Sequence, residues 1–175
     1  MSDRMLSAHF SFNELTVTSN AALQEQNRRE AEAFLEPLSA LALMLEMVRE
    51  KTGPLRINSG FRCAALNGAT AGSSSKSQHL KGEAVDMIGG KMEPTAENVD
   101  GFFEAVLRAI IEKAIPFGQL IKEEAERDYG VSRWVHLSLG VPFRPKEVCG
   151  QVMRMRQAKG GKAVYELLKK IDVNR

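Results

Sequence analysis

The sequence favours a small α+β domain. Long segments with apolar residues at helical spacing alternate with short apolar runs of strand length. Their order is helix, strand, strand, helix, strand, strand, helix, which fits an α+β fold without requiring it. With 175 residues the chain can bury a core of its own, and we expect one domain over residues 1–175.

The composition argues against several classes of protein. A hydrophobic fraction of 43% and a charged fraction of 26% are typical of a globular protein. The net charge of only +2 gives no indication of a nucleic-acid-binding protein. The most apolar run, residues 38–48, contains Ser39 and Glu46 and is too short to span a membrane. The N-terminus lacks the apolar segment of a signal peptide, so we expect a protein made in the cytoplasm.

Two elements are predicted before residue 55. Ser11 and Glu14 have the spacing of a capping box, which predicts a short helical turn within residues 9–17. Residues 28–51 are predicted to be helical because apolar side chains recur there every three or four positions. Pro37 is expected in the first turn of the main helix, since proline is tolerated there.

Arg62 follows a predicted strand at residues 55–58 and the turn Ser59-Gly60-Phe61. Its planar guanidinium could bind a substrate carboxylate. The alternative is a solvated arginine at a turn. Residues 67–76 are rich in glycine, alanine and serine, and they predict a flexible loop.

Residues 77–86 contain two potential metal ligands, His79 and Asp86. Imidazole and carboxylate groups are ordinary zinc ligands. Asp86 lies in a predicted strand, residues 83–88, whereas His79 precedes that strand and has the opposite parity. A straight strand could not point both side chains at one ion, and Gly82 provides the necessary break. The alternative for Asp86 is an ion pair within the fold.

The second half contains a further potential ligand, His136. Thr95 is predicted to cap a helix that extends to about residue 114, and strands are predicted at residues 117–122 and 134–139. Two histidines and one carboxylate would leave the fourth position of a tetrahedral zinc ion open for water, as in catalytic sites. A structural histidine is the alternative for His136.

The remaining predictions concern the charged segment after position 122, the C-terminal part of the chain and the two cysteines. The charged residues that follow position 122 are expected to form a solvated loop, with one carboxylate near the strand end able to face the metal. Helices are predicted at residues 148–156 and 163–171, so that a helical extension over about 157–175 follows a core of about 9–156. Cys63 and Cys149 are expected to be reduced thiols.

Five segments occur in an order that resembles the zinc D-Ala-D-Ala carboxypeptidase family (peptidase family M15), which includes phage lysis peptidases. The resemblance covers residues 9–156, nearly the whole chain. These segments are Ile57-Asn58-Ser59-Gly60-Phe61-Arg62, Asn67, Ser77-Gln78-His79 with Gly82, Ala84 and Asp86, Gln119-Leu120-Ile121 with Glu123, and Trp134-Val135-His136-Leu137-Ser138.

The resemblance implies a fold and a set of site residues. The implied fold is an antiparallel sheet that carries the zinc site on one face and helices on the other. Relatives often have an acidic base three positions before the last histidine, where this chain has Arg133, so Glu123 is the expected base and Glu124 the second choice. Zinc is expected on three residues, and substrate contacts from three others. The metal ligands are His79, Asp86 and His136, and the substrate-binding residues are Arg62, Ser77 and Asn67.

The activity implied by the resemblance is zinc-dependent hydrolysis of peptide bonds in peptidoglycan, by a carboxypeptidase or an endopeptidase that acts as a monomer. A phage-encoded lysis enzyme would reach the cell wall without a signal peptide. Two alternatives remain open from the sequence. One is an inactive zinc-binding module that binds cell wall or forms part of a phage particle, and the other is a metal-free interaction domain.

Overall fold

A computed structural model describes residues 3–172 of the chain. Among these residues no helix is long and apolar enough to cross a membrane. Short 3₁₀ turns connect several of the regular elements. The helices are α1 (Gln24–Ala31), α2 (Leu35–Thr52), α3 (Ala64–Ala69) and α4 (Ala96–Glu112), and the strands are β1 (Leu55–Ser59), β2 (Ala84–Gly89), β3 (Phe117–Arg127), β4 (Gly130–Leu139), β5 (Gln151–Gln157) and β6 (Val164–Lys170).

The strands form one six-stranded sheet in the order β1-β2-β4-β3-β5-β6. The predicted α+β class is confirmed, but the sheet is mixed, since β3 and β5 are parallel and the other neighbours antiparallel. The chain leaves β4 at Leu139, opposite Phe117 at the start of β3. Because β2 already occupies the other edge of β4, β5 adds to the free edge of β3, beginning at the same end and therefore running parallel to it.

The two faces of the sheet have different roles. On one face, apolar side chains of β2 and β4 pack against helices α2 and α4 to form the core. Val85 and Met87 lie on this face, as do Val135 and Leu137. Because side chains alternate along a strand, Asp86 and His136 lie on the opposite face. That face carries the candidate site.

Several local predictions are confirmed. Ser11 Oγ accepts a hydrogen bond from the Glu14 amide at 3.2 Å, and the Glu14 carboxylate accepts one from the Ser11 amide at 3.2 Å, as in a capping box. Helix α2 begins at Leu35, which places Pro37 in its first turn. The Thr95 hydroxyl caps α4 by accepting a hydrogen bond from the Asn98 amide at 3.2 Å.

The helices predicted at residues 148–156 and 163–171 are wrong, because β5 and β6 occupy these segments. A spacing of three residues places side chains on one face of a helix but on opposite faces of a strand. Val152 and Met155 have that spacing, and both are buried, since the two faces of β5 are covered. Within the expected helical extension over residues 157–175, Val164–Lys170 is instead the second strand of the β5–β6 hairpin, and residues 173–175 lie outside the described residues.

Two predicted loops are also wrong. The charged segment after position 122 continues β3 as far as Arg127, because it pairs residue by residue with β4 up to Gly130. The first part of the loop predicted at residues 67–76 belongs to α3. In both segments pairing or packing with distant residues outweighs the local preference for a loop.

Candidate metal centre and active site

Three sequence-predicted ligands meet on the open face of the sheet. The register of β2 and β4 places Asp86 directly opposite His136. His79 lies in a 3₁₀ turn, Gln78–Lys81, immediately before β2. Gly82 ends that turn with a φ of +66°, in the left-handed region that favours glycine. The change of direction at Gly82 lets His79 face the same point as the two strand residues.

The three ligand atoms form a compact triangle. His79 Nε2 lies 3.3 Å from Asp86 Oδ1, and His136 Nδ1 lies 3.0 Å from the same oxygen. The two imidazole nitrogens are 3.3 Å apart. Neighbouring ligands of a tetrahedral ion with bonds of 2.0–2.2 Å would be separated by about 3.3–3.6 Å. The triangle therefore has close to the size that a small divalent metal requires.

Partners outside the triangle orient the two imidazole rings. His79 Nδ1 lies 2.7 Å from the Gly60 carbonyl oxygen, and His136 Nε2 lies 3.2 Å from Gln78 Oε1. Both partners are acceptors, so a neutral ring donates its proton there and presents the lone pair of its other nitrogen to the triangle. Three acceptor atoms then face one point, an arrangement that a cation stabilises. The donor set thus fits a metal ion.

Burial affects the protonation of the triangle. The side chains of His79, Asp86 and His136 are only 2%, 14% and 8% exposed. Burial lowers the pKa of His79, which favours the neutral form that ligates metals. Burial alone would raise the pKa of Asp86, but without a metal, positive charge and hydrogen bonds from protons on the two histidines outweigh it and hold that pKa well below its usual value; a bound cation would supply this charge when the histidines are neutral. The aspartate is therefore ionised.

Glu123 faces the same cavity from β3, opposite Trp134 of β4. Its side chain is buried, and burial together with the charge of Asp86 raises its pKa to about 7. The register irregularity between Phe117 and Leu120 sets which residues of β3 face the site. A carboxyl group with this pKa can exchange protons near neutral pH.

Glu124, the second choice for the base, lies on the other face of the sheet. It forms an ion pair with Arg133 at 2.6 Å, one position away from the site-facing Trp134. Strand parity thus places the two glutamates on opposite faces of the sheet. Glu123 is the one beside the triangle of His79, Asp86 and His136, which we call the metal triangle. Arg133, which stands where many relatives have an acidic residue, also points away from the site.

Arg62 lines the cavity beside the metal triangle. Its backbone amide donates to the His79 carbonyl at 3.0 Å. Its Nε is buried without a hydrogen-bond partner, and among residues 3–172 its side chain forms no ion pair. A buried donor of this kind costs free energy unless a ligand pairs with it, which makes Arg62 suited to bind an anion.

The other two predicted substrate residues differ in position. Ser77 lines the cavity at the start of the 3₁₀ turn that carries His79. Asn67 is buried behind the cavity, where its Nδ2 donates to the Ser74 carbonyl at 3.0 Å and its backbone carbonyl accepts from Ser73 Oγ at 2.5 Å. Asn67 therefore holds the loop that precedes Ser77, and it does not line the cavity as a substrate contact would.

Three residues that support the site were missed from the sequence. Gln78 accepts a hydrogen bond from His136 through its Oε1, and its Nε2 donates one to Ser138 Oγ at 2.9 Å. Gly60 orients His79, and a Cβ there would lie 2.2 Å from the Leu15 carbonyl oxygen, so only glycine fits. Asn27, in α1, forms hydrogen bonds with the backbone of Phe61 and Cys63, and so holds the turn that carries Arg62. The adjacency of Gln78 and Gly60 to predicted site residues was a usable signal, whereas nothing local marks Asn27.

The cavity that contains these groups has a volume of about 620 Å³ and is open on one side. This is within the range of ligand-binding clefts. It combines one cation beside the triangle, Arg62, with the carboxyl groups of Asp86 and Glu123. The arrangement can hold a metal ion, bind an anionic group and transfer a proton within one cleft.

A comparison with known families supports the resemblance seen in the sequence. The model of the family described as peptidase M15 matches residues 8–138, which is more than half of the chain and includes the metal triangle, Glu123 and Arg62. No curated protein matched the chain. Given this match over most of the fold, the chain belongs to the peptidase M15 family.

Proposed function

We propose that this protein is a zinc peptidase that hydrolyses peptide bonds of peptidoglycan. The observation that carries the proposal is the buried His79–Asp86–His136 triangle, with Glu123 in the same cavity. Two nitrogen ligands and one oxygen ligand are a common set in catalytic zinc sites. A zinc ion held there would supply Lewis acidity, which polarises a scissile carbonyl and acidifies water.

Glu123 is the proposed general base. Its carboxylate accepts a proton from the attacking water and then donates it to the leaving amine. A pKa of about 7 suits both steps, since the group can be deprotonated before attack and can release its proton afterwards. Burial keeps bulk water from competing for the carboxylate.

Arg62 is the proposed anion-binding residue. Its side chain lines the cavity and forms no ion pair within the described residues, which leaves its guanidinium to a substrate carboxylate or to the oxyanion that develops during hydrolysis. Holding this group fixes the peptide relative to Glu123, which contributes to rate through orientation. Ser77 also lines the cavity and is proposed as a further substrate contact.

The peptidoglycan substrate and the carboxypeptidase or endopeptidase type rest on the family resemblance. An arginine that binds a free carboxylate favours cleavage near the C-terminus of a peptide. The cell wall is then the proposed site of action, as expected for a phage-type lysis enzyme.

Digestion of purified peptidoglycan tests the proposal. The zinc-loaded protein is incubated with sacculi and with soluble muropeptides, and the products are identified by mass spectrometry. We expect new peptide termini or released D-Ala with the wild type, and a loss of at least a hundredfold in rate with Glu123→Gln. A zinc-loaded wild type that cleaves neither substrate would contradict the proposal and favour an inactive wall-binding module.

A further inference from the structure

The cavity extends well beyond the metal triangle, towards the tip of the β3–β4 hairpin. Glu123 and Arg127 are four residues apart on β3, which at about 3.3 Å per residue is about 13 Å. Both residues line the cavity. An extended peptide bound with its scissile bond at Glu123 would need three or four further residues to reach Arg127.

Aromatic residues line the cavity, two of them level with Glu123 and one at the tip of the hairpin. The only tryptophan of the chain, Trp134, and both of its tyrosines, Tyr129 and Tyr165, line the cavity. Such side chains combine apolar area with a polar group and are enriched where proteins bind peptides. Tyr165 remains 52% exposed, so much of its surface is available to a ligand.

The C-terminal hairpin β5–β6 supplies one wall of the extension. Met155 of β5 lies opposite Glu123, and Tyr165 of β6 lies opposite Met155, which places the Tyr165 backbone about 10 Å from that of Glu123. The Tyr165 hydroxyl is a hydrogen-bond donor at neutral pH, as that of any tyrosine with an ordinary pKa of about 10 is, and burial, with the charges of Glu123 and Asp86, raises the pKa of Tyr165 further. Tyr165 lies outside residues 8–138, the part that matches the family.

Arg127 provides a positive charge at the far end. Its Nη1 donates to Gln157 Oε1 at 3.0 Å, and within the described part of the chain it forms no ion pair. Gln157 belongs to β5 and is held in turn by a bond from its Nε2 to the Gly161 carbonyl at 3.0 Å. The guanidinium is thus oriented by a neutral partner and keeps its charge available for a carboxylate.

We propose that the cavity binds an extended peptide, with Trp134 and Tyr165 contacting residues near the scissile bond and with Arg127 and Tyr129 forming a second subsite that binds an acidic residue three or four positions away. This inference rests on the proposed function, and it deepens it by naming a substrate class. The subsite makes the protein select long, acidic peptides over dipeptides. The selection depends on the C-terminal hairpin, which supplies Tyr165 and positions Arg127.

Binding to the zinc-loaded full chain tests the subsite separately from catalysis. Three acetylated probes are titrated, with Trp134 fluorescence as the signal: a pentapeptide that starts with glutamate and ends in D-Ala-D-Ala, the same peptide with glutamine, and D-Ala-D-Ala alone. A Glu123→Gln background slows hydrolysis during the titration. We expect the acidic pentapeptide to bind about tenfold more tightly than the dipeptide.

Matched variants assign the effect to the subsite. Arg127→Gln should weaken binding of the acidic probe about five- to tenfold and leave binding of the glutamine probe nearly unchanged. Tyr165→Ala should weaken binding of both pentapeptides by the same factor, because Tyr165 lies level with Glu123 and not beside the acidic residue. Arg156→Gln and Val164→Ala lie on the opposite face of the same hairpin and serve as controls for charge and for packing. Circular dichroism checks that each variant is folded.

The outcomes separate the two proposals. Equal affinities for all three probes, or equal effects of Arg127→Gln and Arg156→Gln, would overturn the subsite. Length- and charge-dependent binding without any hydrolysis by the wild type would support the subsite and contradict the proposed activity. Hydrolysis that is indifferent to peptide length and charge would support the activity and overturn the subsite.

Discussion

At the scale of single residues, adjacent glutamates on β3 have opposite surroundings. Glu123 is buried beside the metal triangle, whereas Glu124 pairs with Arg133 on the other face of the sheet. This difference follows from strand alternation, which places Glu123, the base expected from the family resemblance, at the site and Glu124, the second choice, on the opposite face. The site therefore depends on the register of β3 as much as on the identity of its residues.

The pair provides a matched test of the proposed base. We expect Glu123→Gln to reduce kcat by a factor of about 10²–10⁴ with a smaller effect on KM, because a group that acts in the transition state is removed. Glu124→Gln should change kcat less than threefold. Steady-state kinetics on a soluble muropeptide measures both, and a larger loss for Glu124→Gln would contradict the assignment.

Glu123 also predicts the pH dependence. The group must be deprotonated to accept a proton, and its pKa is raised to about 7, so it is increasingly protonated and inactive below that pH. A bound metal cation would favour the carboxylate and move this transition lower. We expect kcat/KM to rise with pH along a limb centred at or below about 7. A profile that stays flat from pH 5 to 8 would contradict a base role for Glu123.

At the scale of elements, helix α1 holds the corner that presents Arg62. Asn27 is fully buried, and its amide donates to the carbonyls of Thr16 and Phe61 at 2.9 and 3.0 Å. Its carbonyl oxygen accepts from the Cys63 amide at 2.7 Å. One side chain thus satisfies three buried backbone groups, two of which flank Arg62.

Removing that side chain should affect stability and substrate binding together. We expect Asn27→Ala to lower the free energy of unfolding by about 3 kcal/mol, because buried backbone groups lose their partners. KM should rise more than kcat falls, since Arg62 becomes less well positioned. Arg29→Ala, on an exposed part of the same helix, should cost less than about 0.5 kcal/mol. Denaturant unfolding compares the two variants, and equal losses would contradict the role given to Asn27.

Helices and strands with a local sequence signal could be predicted, whereas those that depend on distant pairing could not. His79, Asp86 and the break at Gly82 follow from local parity, and the core helices follow from the periodicity of their apolar residues. The strand character of residues 151–157 could not be predicted, because it results from pairing with β3 and β6. Asn27 was missed for the same reason, since its three partners lie 11 or more positions away.

At the scale of the whole molecule, the hydrophobic core and the candidate site lie on opposite faces of the sheet. One face packs against α2 and α4, and the other carries the metal triangle, Glu123 and the long cavity. The central strands β2, β4 and β3 hold Asp86, His136 and Glu123, so the geometry of these three residues is fixed by neighbouring strands on both sides. The peripheral β5–β6 hairpin shapes the cavity further from the metal.

The buried triangle of His79, Asp86 and His136 is proposed to be a zinc site required for peptide hydrolysis. The most direct measurement is metal content by mass spectrometry on the purified wild type, on His136→Ala and on His9→Ala, with muropeptide hydrolysis assayed on the same samples. His9 pairs with Glu46 on the surface and serves as the control. We expect one zinc ion and activity in the wild type and His9→Ala, and loss of both in His136→Ala. A wild type that hydrolyses peptides without stoichiometric metal, or His136→Ala that retains zinc and activity, would contradict the account.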